Sequence, residues 1–358
     1  MPSLFDPVTL GAIDAPNRIL MAPLTRTRAT DDHVPTALMT EYYRQRAGAG
    51  LIISEATGIS RQGLGWPNAP GLWRDDQVEG WKPVTEAVHR AGGRIVAQLW
   101  HQGRLARPDV NGLQPLSSSA TRAPYHVPEK NPYGEARAAT LDEIRATIDD
   151  YGAAARNAIR AGFDGVQVHA ANGYLIDQFL RDNTNLRDDD YGGAPENRIR
   201  FLREVVARVV AEAGAGRTAV RLSPNGESQG ADDSDPESLF VPAAKALGEL
   251  GIAFLELREI STAGTFGSTD VPKLSPKIRP AFAGPLVLNQ DYTAASAQAE
   301  LDSGLADAIS WGRLFIANPD LVDRFRSGAP LNTPNPKTFY VPGPEGYIDY
   351  PALETSAA

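Results

Sequence analysis

Eight short apolar runs recur along the chain, interleaved with seven segments of helical periodicity, and this rhythm restricts the fold more than any other feature. The runs are Arg18–Pro23, Leu51–Ala56, Arg94–Trp100, Gly165–Ala170, Thr218–Pro224, Ala253–Arg258, Pro285–Asn289 and Ala308–Gly312. Near-continuous apolar runs of this length suit parallel strands buried on both faces. Helical patterns cover Pro35–Ala47, Asp75–Ala91, Leu141–Ala161, Pro195–Ala213, Pro236–Leu250, Thr293–Ser303 and Asn318–Ser327. Thr140-x-x-Glu143 spells a capping box, and Ala161-Gly162 supplies a C-terminal glycine. Asn318-Pro319-Asp320 reads as a cap, a proline at the first helical position and an acid in the first turn. The expectation is an α/β fold, one (β/α)8 TIM barrel spanning residues 1–358 as a single domain. A doubly wound sheet is the alternative, but the residues after the first run, Met21 to Thr25, are not the glycine fingerprint it would want. The stretch 101–139, rich in Pro, Ser and Asn, reads as a lid or excursion over the barrel mouth. From Pro330 on, a non-helical tail carries Phe339, Tyr340, Tyr347 and Tyr350, and its aromatics imply that it packs back on the body.

Composition removes several function classes. The net charge of −9 and the lack of a Lys/Arg run argue against nucleic acid and anionic membrane as partners. The absence of cysteine excludes disulfides, thiolate nucleophiles and cysteine-ligated metal centres. The N-terminal MPSLFDPVTL lacks the pattern of a signal peptide, and no stretch approaches the ~20 apolar residues of a membrane span. A cytoplasmic protein is expected.

In a barrel of this class the chemistry sits at the carboxyl ends of the strands. Those ends carry Pro23, Leu24, Thr25, Glu55, Ala56, Gln98, Trp100, His169, Asn172, Tyr174, Arg221, Asn289, Gln290, Gly312 and Arg313. No lysine falls there, which disfavours a Schiff-base aldolase. Five histidines without His-x-His or His-Glu-x-x-His spacing give a metal site little support. Glu55 and Glu256 would suit a glycosidase if they faced one cleft at ~5–10 Å. The remaining neutral donors, with a strand-end arginine and Gly312-Arg313, suit a flat hydrogen-bonding cofactor with a phosphate at one end. Each residue also has a plainer reading. His169 could be a structural strand-end histidine, Asn172-Gly173 a mere turn covered by Tyr174, and Arg221 the ion-pair partner of Glu256.

Taken in order, NRILMAPLTRTRA (17–29), GLIISEATGIS (50–60), QLWHQGR (98–104), VQVHAANGYLIDQFL (166–180), NRIRFL (197–202), RLSP (221–224), WGRLFIANPDL (311–321) and GYIDYP (346–351) resemble the Old Yellow Enzyme family of FMN-dependent ene-reductases, in its classical branch. The resemblance implies bound FMN, with NADPH or NADH as a diffusible hydride donor. It places Pro23, Leu24 and Thr25 along the flavin ring, Ala56 and Gln98 at its pyrimidine part, and Arg221 beside N1 and the C2 carbonyl. Gly312 and Arg313 would hold the phosphate. His169 and Asn172 would bind the activating oxygen of the substrate, and Tyr174 would donate the proton. Implied substrates are activated alkenes (enones, enals, maleimides, nitroalkenes), with nitro compounds and nitrate esters also within reach. The protein would act as a monomer or homodimer. Two positions depart from the family. Asn289-Gln290-Asp291 fills a bend where a glycine is common, and Gly65-Trp66-Pro67 stands where a tyrosine is common. Trp66, Trp100 and Tyr340 are expected to line the substrate pocket. A flavin-binding sensor without turnover is the non-enzymatic alternative.

Overall fold

The computed structural model describes residues 1–124, 133–264 and 267–353. Its strands, in chain order, are β1 (Val8–Leu10), β2 (Ile13–Ala15), β3 (Ile19–Met21), β4 (Ile52–Gly58), β5 (Ile95–Trp100), β6 (Leu116–Ser117), β7 (Arg137–Ala138), β8 (Gly165–Ala170), β9 (Thr218–Leu222), β10 (Phe254–Arg258), β11 (Leu286–Asn289) and β12 (Ala308–Trp311). The helices are α1 (Ala37–Gln45), α2 (Asp75–Arg90), α3 (Pro108–Asn111), α4 (Leu141–Arg160), α5 (Leu175–Leu180), α6 (Pro195–Ala213), α7 (Pro236–Glu249), α8 (Ser275–Ile278), α9 (Ala294–Asp302), α10 (Arg313–Ala317) and α11 (Leu321–Ser327). β3, β4, β5, β8, β9, β10, β11 and β12 close into a parallel barrel, with β12 pairing back onto β3. The eight apolar runs of the sequence are these eight strands, so the doubly wound alternative is excluded.

Each strand buries both faces against different material. Outward residues such as Ile52, Leu99, Val168, Leu255 and Leu288 join the large core beneath the helices. Inward residues Leu20, Ile53, Val96, Ala219, Phe254, Val287 and Ala308 fill the bottom of the barrel. The hairpin β1–β2, which the periodicity did not reveal, plugs that end with Leu10, Ile13 and Ala15. Gly11 at its turn has φ +65°, and a Cβ there would lie 2.4 Å from Gly216 O, so the tight approach requires glycine.

The Thr140–Glu143 capping box is formed, and α4 ends at Arg160 with Ala161 as its C-cap and Gly162 at φ +89°. The 318–327 pattern needs correction. α11 begins at Leu321, because Asn318 closes α10 instead and its amide donates to Leu314 O and Asn332 O. The Asp320 carboxylate pairs with Arg324 at 2.7 Å instead of capping. Of the 101–139 excursion, residues 125–132 lie outside the described residues. The remainder folds into α3 and the β6–β7 pair and packs on α5, with Ser117 Oγ donating to Gln178 Oε1 at 2.8 Å. Residues 330–353 of the tail pack back on the body as expected, Tyr347 stacking on Tyr42 at 4.1 Å between ring centroids, and 354–358 lie outside the described residues. Among the described residues no helix is long and apolar enough to cross a membrane.

Candidate active site

Because side chains alternate along a strand, the residue two beyond an inward apolar one also points inward. Here those second positions are polar. Gln98 follows Val96, Arg221 follows Ala219, Glu256 follows Phe254, Asn289 follows Val287 and Ser310 follows Ala308. They form one connected layer with Gln167. Gln98 Nε2 donates to Gln167 Oε1 and Gln167 Nε2 to Glu256 Oε2, both at 2.8 Å. Ser310 Oγ donates to Glu256 Oε1 at 2.5 Å, and Arg221 Nη1 lies 2.8 Å from Glu256 Oε2. Arg221 Nη2 donates to Asn289 Oδ1 at 2.8 Å. A connected network of this kind holds each member in one orientation. The ion pair with Glu256 thus exists, yet Arg221 Nε is buried without a hydrogen-bond partner among the described residues.

His169, Asn172 and Tyr174 stand above this layer, at the end of β8. Asn172 and Gly173 both adopt left-handed backbone, φ +60° and +76°. Asparagine and glycine tolerate that conformation, so the chain turns there without strain. The turn is fastened by Asn172 N to Ser223 Oγ, Gly173 N to Asp177 Oδ2 and Gln178 Nε2 to Gly173 O. Tyr174 becomes the cap residue of α5. Its ring meets His169 edge-on at 5.1 Å and Trp100 at 5.0 Å. Among the described residues, His169 Nδ1, Asn172 Oδ1 and Trp100 Nε1 are buried and have no hydrogen-bond partner. Burial, reinforced by Arg221 and Arg258, holds the His169 pKa well below its ordinary value, so the ring is neutral at pH 7. Burial raises the Tyr174 phenol above its ordinary range, so it stays protonated.

Ala56, Trp66, Trp100 and Tyr174 pack together, and Tyr340 adds its ring to Trp66 at 4.9 Å. Pro23, Leu24 and Thr25 leave β3 half-buried. At the end of β11, one strand removed from β3, Gln290 and Asp291 take φ +109° and +55°, the conformation that glycine adopts most easily. Arg313 Nη2 reaches Asp291 Oδ1 at 2.7 Å across this bend. Gly312 lies against Leu24, where a Cβ would sit 3.1 Å from Leu24 Cδ2. One cation at the mouth was not singled out from sequence. Arg258, 6% exposed, is two positions beyond Glu256 and its Nε approaches Gln290 Oε1 at 3.4 Å. Burial and the neighbouring Arg221 bring its pKa down to about 10. The available signal was period two, since Glu256 and Arg258 are charged at alternate positions of an otherwise apolar run.

The two carboxylates of the glycosidase alternative do not share a cleft. The β4–β5 pairing slips between Ile53 and Ala56, which reverses the phase of β4 and turns Glu55 away from the interior. Ser54 Oγ fills the irregularity by accepting from Gln98 N. Glu55 instead meets α1, with Tyr43 OH donating to its Oε1 at 3.3 Å and Arg26 N to Oε2 at 3.2 Å. Burial raises the Glu55 pKa to about 7. Between about pH 4.5 and 7 the folded chain therefore keeps a proton that the unfolded chain has released, and stability falls as pH rises through that window. Glu55→Gln should leave thermal stability near wild type at pH 5 and raise it at pH 8, by up to about 3 kcal/mol. Melting curves at the two pH values check this, and equal shifts at both would contradict it. Among the described residues, no group of three or more His, Asp or Glu side chains could hold a metal ion.

Comparison with known proteins agrees with this geometry. Residues 3–332 match the model of the NADH:flavin oxidoreductase / NADH oxidase family. The old yellow enzyme homologue from Zymomonas mobilis superposes with a TM-score of 0.96 at 63% identity, covering 98% of this chain and 100% of that one. Morphinone reductase superposes at 0.95 and 45% identity, covering 100% and 98%. Chanoclavine-I aldehyde reductase from Penicillium roqueforti is 44% identical over 98% of this chain and 96% of its own length. 12-Oxophytodienoate reductase 1 from Oryza sativa subsp. japonica is 41% identical over 98% and 93%. The chain belongs to the NADH:flavin oxidoreductase / NADH oxidase family, in its Old Yellow Enzyme group, and is an NAD(P)H-dependent flavin oxidoreductase.

Proposed function

We propose that the chain is an FMN-dependent ene-reductase acting on enones, enals, maleimides and nitroalkenes by a ping-pong scheme. The observation that carries this reading is the set of buried, unpartnered polar atoms at one barrel mouth: His169 Nδ1, Asn172 Oδ1, Trp100 Nε1 and Arg221 Nε. Buried polar atoms are rarely left unpaired in folded proteins, so a cluster of them implies a ligand that completes the set.

The residues present fit FMN. Arg221 has an unused buried donor at the place expected for the ring's N1 side, and Gln98 is fixed beside it through Gln167. Pro23, Leu24, Thr25 and Ala56 would border the ring, while Asn289, Gln290, Gly312 and Arg313 would hold the ribityl and phosphate end. When bound, FMN supplies the hydride, taken from NADPH or NADH and passed to the β-carbon of the alkene.

The protein's own contribution is placement and charge. Neutral His169 donates one N–H to the activating oxygen. The Asn172 amide presents its N–H₂ there once its oxygen and nitrogen exchange places, a rotation that leaves its shape unchanged. Both donors stabilise the negative charge that builds on that oxygen more than they stabilise the neutral substrate. Tyr174, kept protonated by burial, delivers its proton to the α-carbon from the side opposite the hydride. Morphinone reductase has been solved in complex with tetrahydroNAD, which supports a nicotinamide entering this same pocket as a substrate.

The purified protein is expected to be yellow, to bleach anaerobically with NADPH and to regain its colour when cyclohexenone is added. A colourless chain that does not take up FMN would rule the reading out.

A further inference from the structure

A guanidinium carries five N–H donors in one plane, and in Arg28 each of them meets a main-chain carbonyl. Nε points to Gly343 O (3.4 Å), Nη1 to Arg26 O (2.6 Å) and Phe339 O (2.8 Å), and Nη2 to Thr338 O (2.9 Å) and Glu345 O (3.3 Å). Four of these acceptors lie 310 to 317 positions further along the chain. Arg28 is itself 4% exposed, its guanidinium carbon 4.6 Å from the Tyr347 ring centroid. Arg26 reinforces the same loop through Phe339 O (3.1 Å) and Gly346 O (2.7 Å). The loop closes tightly on itself, since a Cβ at Gly346 would overlap Thr338 Oγ1. Beyond the loop, Tyr347 also stacks on Tyr42 and Ile348 O accepts from Gln45, contacts that tie the tail to α1.

The loop carries Tyr340. That ring is 51% exposed yet packs on Trp66, which continues through Trp100 to Tyr174. A half-exposed aromatic on a loop has a definite place only if the loop backbone has one.

We infer that Arg28 is a positioning residue for the substrate pocket: by gathering the carbonyls of residues 338–345 it sets Tyr340 against Trp66 and thereby fixes the outer wall facing the alkene. The role depends on the alkene-reductase reading for its kinetic assay alone. Arg28→Lys keeps the charge but offers three donors without a plane, so it cannot fill the cage.

In Arg28→Lys the KM for cyclohexenone should rise about tenfold with kcat within about twofold, the pattern of lost ground-state and transition-state binding alike. FMN content and flavin spectrum should not change, and amide exchange should quicken in residues 338–346. Tyr340→Ala should produce the same KM change, and the double variant no more than either, because both remove one wall. In Arg28→Ala, ethylguanidinium should lower KM again where ethylammonium does not.

A KM unchanged in Arg28→Lys, or effects of Arg28 and Tyr340 that multiply, would overturn the inference. So would loss of the folded, flavin-loaded chain in both Arg28 variants, which would assign Arg28 to the stability of the body. Should the wild type hold FMN but reduce no alkene, the functional reading fails by itself, and exchange in residues 338–346 still decides the role of Arg28.

Discussion

Tyr174→Phe is expected to leave flavin reduction by NADPH near its wild-type rate and to slow alkene reduction by about 10²–10⁴-fold, the usual contribution of a positioned general acid. The substitution removes one hydroxyl and keeps the ring. The edge-on contacts with His169 at 5.1 Å and Trp100 at 5.0 Å are ring contacts, so the pocket should keep its shape. Burial keeps the phenol protonated, so the wild-type donor should not titrate away at neutral or mildly alkaline pH. Anaerobic stopped-flow measurement of the two half-reactions separates the effects. Equal losses in both would assign Tyr174 to binding or packing instead of proton transfer.

The second large effect is expected from His169→Ala combined with Asn172→Ala. Loss of a single donor at a developing oxyanion costs about 10²–10³-fold in rate, so the pair should lower kcat/KM for an enone by at least about 10³-fold. FMN should stay bound, because the polar layer beneath is joined through Gln98, Gln167, Glu256, Arg221 and Asn289 without either residue. Phenol binding, read from its long-wavelength band with the flavin, should vanish together with enone turnover. Recovery of flavin-free protein would instead make both residues structural. His169 is already neutral at pH 7, so its donor role should show no titration between about pH 6 and 9.

These outcomes mark which parts of the molecule local chemistry decides. The eight strands and their order were legible because a strand buried on both faces must be apolar over its length, whatever surrounds it. The β8 turn was legible too: a strand period breaks at His169, and Asn172-Gly173 supplies the two residue types that accept positive φ. Arg258 and Gln167 escaped notice because their runs are apolar overall, and only the barrel's closure shows which alternate positions converge. The β1–β2 hairpin escaped because its strands, VTL and IDA, each carry a polar middle residue and form no continuous apolar run.

Glu55 and Arg28 show the boundary most clearly. From Ile53, strict alternation would bring Glu55 to the interior beside Glu256. The slip between Ile53 and Ala56 sends it outward to Tyr43. Arg28 looks like either of the two arginines in TRTRA, and four of its five acceptors lie more than 300 positions away. The sequence by itself determined the barrel, the strand ends and the residue types available for chemistry, because periodicity and turn propensity act over a few residues. Only the tertiary structure decided which strand-end groups share the mouth, and which arginine holds the loop that covers it. Strand phase and long-range carbonyl capture depend on pairings between segments that are far apart in the chain.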